Sequence, residues 1–91
     1  MTHRVQVTAE DIAMGVRSSG SCCPVARAIS RSLGRGVNVL ESGERRLHVI
    51  AQDYQSIDDD VPLAKEVERW IRRYDRGIGS PEPFSFEIDV V

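Results

Sequence analysis

The sequence predicts one α+β domain built in two layers, with helices covering one face of an antiparallel sheet. Three observations carry that prediction. Four segments alternate apolar and polar residues, two longer segments repeat apolar residues at helical spacing before a glycine, and 91 residues suffice for one core but not two. In chain order they read β-α-β-β-α-β, the split β-α-β or ferredoxin-like arrangement, with a short extra helix after the first strand.

Arg4-Val5-Gln6-Val7-Thr8 alternates, with Val5 and Val7 on one face and polar residues on the other, so it reads as a half-buried strand. Thr8 then caps a helix of about two turns whose first turn carries Glu10 and Asp11, with Ile12 and Met14 as its apolar residues before Gly15. Val16 to Cys22 is loop by its glycine and serine content. Pro24 suits the first position of a helix, because its fixed φ is already helical and its missing N–H has no intrahelical partner to lose. Cys23 is then the N-cap. Val25, Ile29 and Leu33 follow at i, i+4 and i+8 beside Ala28, Arg27, Arg31 and Arg35 occupy the other face, and Gly34 stops the helix.

Val37-Asn38-Val39 and Leu47 to Ala51 read as antiparallel strands joined by a hairpin-like loop over Glu41–Glu44. A polar stretch from Asp53 ends in Asp58, Asp59 and Asp60, and Val61-Pro62 reads as the start of the last helix. That helix carries an apolar stripe of Leu63, Val67, Trp70, Ile71 and Tyr74. Lys65, Glu68, Arg69, Arg72, Arg73 and Arg76 face water until Gly77. Trp70 and Tyr74 are expected in the core. After a turn through Ile78 to Pro83, Phe84 to Val90 alternates without interruption and closes the sheet.

The apolar fraction of 41% and charged fraction of 29% are those of a folded soluble domain, and neither repeats nor linkers interrupt residues 1–91. Twelve basic against fourteen acidic residues give a net charge of −2, which argues against broad capture of nucleic acid or anionic lipid. No stretch reaches the roughly 20 apolar residues of a membrane span, so no membrane association is expected and a cytoplasmic location is. Two adjacent cysteines make a poor structural staple, because a disulfide between neighbours closes almost no loop and strains the peptide. With no CxxC spacing, and His3 and His48 on other elements, neither a metal nor a cofactor is expected.

The candidate chemistry lies in two places. Cys22 and Cys23 stand where a helix N-terminus favours thiolate, with Arg17 and Arg27 near in sequence, whereas a cysteine before proline also serves as a small core plug. Phosphatase chemistry needs five residues between cysteine and arginine; four separate Cys22 from Arg27 and three separate Cys23 from it. The Ser18 to Cys23 loop can contact an anion but lacks the glycine and lysine spacing of a nucleotide-binding loop. The second place is the arginine rows, Arg27, Arg31 and Arg35 beside Arg69, Arg72, Arg73 and Arg76, which read as one basic outer layer and a candidate binding surface. The polar sheet face, with Arg4, Gln6, Asn38, Arg46, His48, Ser85, Glu87 and Asp89, has no aromatic on which to stack a base, which argues against RNA recognition there.

Cys23-Pro24-Val25-Ala26 resembles the first half of the Cys-Pro-x-Pro motif of small sulfur-relay proteins and lacks its second proline. Three stretches carry a broader resemblance: Val7 to Ile12 with Gly15, then Cys23 to Ala28, then Trp70 to Gly77 followed by Glu82-Pro83-Phe84-Ser85-Phe86. In these the chain resembles small uncharacterised proteins of actinobacteriophages and related actinobacterial genomes. The resemblance implies an accessory protein acting inside a bacterial host, a non-enzymatic binder of a host or phage protein, and leaves a homo-oligomer open. The alternatives are a thiol-dependent enzyme or sulfur carrier using Cys22 or Cys23 and, with less support, nucleic-acid binding through the helical arginines.

Overall fold

The computed structural model describes residues 2–17, 19–34, 36–41, 47–51 and 61–89. Within them the chain runs β1 (Thr2–Val7), α1 (Ala9–Met14), α2 (Pro24–Leu33), β2 (Val37–Glu41), β3 (Leu47–Ala51), β4 (Val61–Pro62), α3 (Lys65–Arg76) and β5 (Phe84–Asp89). The mixed α+β class is therefore formed. The loop beyond Glu41, the acidic run Asp58–Asp60, and Ser18, Arg35 and Arg46 fall outside the described residues, as do the side chains of His48 and Asp89.

β1 and β5 pair antiparallel with Val5 opposite Phe86 and Val7 opposite Phe84, so the apolar face of each strand meets the apolar face of the other. β2 and β3 pair antiparallel with Val39 opposite Val49. Val5, Val7, Val25, Ile29, Val37, Val39, Val49, Val67, Ile71 and Ile88 are buried in one cluster, which places α2 and α3 over the apolar side of the strands. At 25 cal/mol per Å², each such side chain contributes about 1.5–3 kcal/mol relative to exposure. Both long helices end as expected at a left-handed glycine, Gly34 at φ 70° and Gly77 at φ 69°.

Two expectations are corrected. First, Val61-Pro62 is not the start of the last helix but a short strand, β4, paired antiparallel with β3 through Val49 and Val61. Proline restricts the residue before it to extended backbone and donates nothing to a ladder, so the pair suits an edge strand as well as a helix start. Leu63 is buried outside the helix, its N–H donating to the Leu47 carbonyl at 2.9 Å, and α3 begins at Lys65 after Ala64, which makes no side-chain cap. Second, a single four-stranded sheet is not formed among the described residues. The strands make two ladders, β1-β5 and β2-β3-β4. β4 occupies the side of β3 that β1 would need, and α2 occupies the outer side of β1: Arg31 Nη2 donates to the Gln6 carbonyl at 2.8 Å and Ser32 Oγ to the Arg4 carbonyl at 3.2 Å. In α1, Met14 is 62% exposed, because the helix turns only Asp11 and part of Ile12 inward.

Candidate functional site: an arginine and aromatic groove

The residues named from sequence separate into three environments. At the start of α2, Cys23 caps the helix as expected, with its Sγ accepting from the Ala26 N–H at 3.4 Å. Only 3% of the residue is exposed, and burial pushes the thiol pKa up, against the lowering effect of the Ala26 and Val25 N–H groups. Of the two readings the sequence offers for Cys23, activated thiolate or small core plug, its burial supports the plug: desolvation outweighs the helix end. Cys23 lines a small cavity of about 140 Å³ with Ser19 and Asp75, and the Asp75 carboxylate raises the thiol further. Cys22 is exposed and free, with Sγ 3.6 Å from the Ser21 hydroxyl. Among the described residues no cluster of three or more His, Cys, Asp or Glu side chains comes together to hold a metal ion.

The arginines on α2 belong to a different structure, a buried carboxylate hub. Asp11 is fully buried, and Thr8 forms a capping box with it: the Asp11 N–H donates to the Thr8 hydroxyl at 3.2 Å and the Thr8 N–H to Asp11 Oδ2 at 3.0 Å. From α2, Arg31 donates through Nη1 to Oδ1 and through Nη2 to Oδ2, both at 2.8 Å, a bidentate pair. Arg27 Nε lies 3.6 Å from Oδ1, buried and without a hydrogen-bond partner. The Arg31 hydrogen bonds outweigh desolvation and hold the Asp11 carboxyl at about 2, below its ordinary value of 3.8. Arg27 and Arg31 are therefore tied to the buried Asp11, with the Arg31 side chain still 52% exposed.

The α3 arginines divide again. Arg69 and Arg73 line an open groove of about 480 Å³ between α3 and the segment Ile78 to Phe84, whereas Arg72 and Arg76 lie off it. Helical spacing puts residues 66, 69, 70, 73 and 74 on one face, which is the wall of the groove. Its floor holds the rings of Trp70, Tyr74 and Phe84, and the run of rings continues past it to Phe86. Tyr74 and Trp70 stack at 5.5 Å and 6°, Trp70 meets Phe84 at 5.0 Å, and Phe84 meets Phe86 at 5.6 Å. Trp70 is half-buried and lines the groove, which corrects its placement as core; Tyr74 is core as expected.

Hydrogen bonds hold both walls. Trp70 Nε1 donates to the Glu82 carbonyl at 3.2 Å, fastening the Pro81-Glu82-Pro83 segment across the helix. The Tyr74 hydroxyl lies 3.1 Å from both the Ile12 and Gly15 carbonyls, tying the end of α3 to the end of α1. Arg17 sits over the Tyr74 ring at 6.0 Å. Sequence reasoning missed this groove because its second wall reads only as a turn; the spacing of Trp70 and Phe84, 14 residues apart on different elements, carries no local signal. No family model, curated protein or solved structure matches this chain.

Proposed function

We propose that the protein is a small non-enzymatic binder, a phage-type accessory protein that takes a segment of a host or phage protein in the groove along α3. One observation supports this reading above the others: Arg69 and Arg73 flank an aromatic floor, and neither guanidinium has a carboxylate within ion-pair distance among the described residues. By contrast, Arg31 is paired bidentately with the buried Asp11. Aromatic residues and arginine are enriched where interfaces concentrate their energy, and a groove with rigid rings loses little side-chain entropy when filled. The thiol alternative rests on Cys22 alone, since burial raises the Cys23 thiol.

The test is affinity capture from actinobacterial lysate with the wild-type chain and with an Arg69→Gln/Arg73→Gln double variant of equal melting temperature. A specific protein retained by the first and lost by the second is the expected result. Equal retention by both, or no specific partner with micromolar bait, overturns the assignment of this groove.

A further inference from the structure

Resting on that reading of the groove, we infer that its occupant is an extended acidic peptide segment, with carboxylates two residues apart beside an apolar or aromatic residue. The spacing of the two arginines supplies the match. Arg69 and Arg73 are one turn apart on the same helix face, about 6 Å along the axis at 1.5 Å per residue. In an extended chain, side chains at i and i+2 share a face and stand about 6.8 Å apart. An extended peptide laid along α3 therefore presents two carboxylates to two guanidinium groups in step from residues only two apart, whereas a helical one needs residues four apart. Each guanidinium offers a planar fork for one carboxylate.

The rest of the groove sets position and neighbour. Glu66 lines the wall one turn before Arg69, Glu82 lines the groove as well, and both repel a third carboxylate, so the acidic pair is confined to the Arg69–Arg73 stretch. The floor beside it is Trp70 and Phe84, which fits an apolar or aromatic side chain adjacent to the acidic pair. The Trp70 indole N–H is already taken by the Glu82 carbonyl, so polar recognition rests on the arginines and not on the ring.

Trp70 is the only tryptophan of the chain, so its emission reports the groove directly. The probes are three tryptophan-free peptides with blocked ends, Phe-Asp-Ser-Asp, Phe-Asn-Ser-Asn and Phe-Lys-Ser-Lys, titrated into the full chain. Saturable change with the Asp peptide only, weakened about fivefold by Arg69→Gln and by Arg73→Gln and reduced by added salt, is the expected result. Equal responses to the Asp and Asn peptides, or an Asp response that survives both substitutions, overturn the inference. If no peptide binds at about 5 mM while a captured protein still depends on Arg69 and Arg73, the acidic occupant is wrong and the groove assignment stands; if neither dependence appears, both fall.

Discussion

Removing the Arg31 guanidinium leaves the buried Asp11 carboxylate with the Thr8 contacts and Arg27 at 3.6 Å. Breaking one side of a fully buried pair costs about 3–5 kcal/mol; the Arg31 side chain is 52% exposed, so Arg31→Met is expected to cost about 2 kcal/mol in urea unfolding. The same pair fixes a pH dependence. The folded Asp11 pKa, about 2, lies below its ordinary 3.8, so its stabilisation is present above about pH 4 and is lost as pH falls through about 2. Acid titration of stability is expected to show that loss in the wild type, and Arg31→Met is expected to flatten it. At the cysteines, a thiol reagent is expected to label Cys22 in the native protein and Cys23 only on unfolding, read by mass spectrometry; native labelling of both would revive a thiol-based activity. Much of this was legible where it is local. Thr8 as a cap, the acids of the first turn and Cys23 before Pro24 are contacts within four residues of chain. The Arg31 partner of Asp11 lies 20 residues away, and the direction of the Cys23 thiol depends on packing that no short window contains.

Between elements, the end of α1 closely approaches the start of α2 at Gly15. A Cβ on Gly15 would stand 2.6 Å from two ring carbons of Pro24 and 2.8 Å from the Asp11 carbonyl, with a rigid ring and backbone as neighbours. Gly15→Ala is therefore expected to destabilise by about 1–3 kcal/mol in thermal or urea unfolding, although the backbone at Gly15, φ −70°, suits any residue. It is also expected to disturb Tyr74, whose hydroxyl rests against the Gly15 carbonyl, and an unchanged melting temperature would show that α1 is free to move away. The long helices were legible because period and stop signal agree: Val25 and Ile29 before Gly34, Val67, Ile71 and Tyr74 before Gly77. Val61-Pro62 was not, because a proline after an acidic run satisfies the rules for a helix start and for an edge strand alike. Only the pairing of Val61 with Val49 decides between them.

For the molecule as a whole, the pairing of β1 with β5 joins strands some 80 residues apart and buries Val5, Val7 and Ile88. A chain shortened to end at Pro83 is expected to lose its cooperative thermal transition by circular dichroism; a retained transition would show that the remaining ladder and helices suffice. The four strands, their apolar faces and the mixed α+β class could be read from alternation, but how the strands group could not, since ladder partners are chosen by long-range competition. That competition leaves Arg31 with a second duty. The Arg4 and Gln6 carbonyls would otherwise be open acceptors along a strand margin, the kind of margin onto which a neighbouring copy can add its own strand. An Arg31→Met/Ser32→Ala chain should thus do more than unfold early: at high concentration it should gain light scattering and thioflavin signal that an equally destabilised Gly15→Ala chain does not, because only the former has lost its guard against self-stacking.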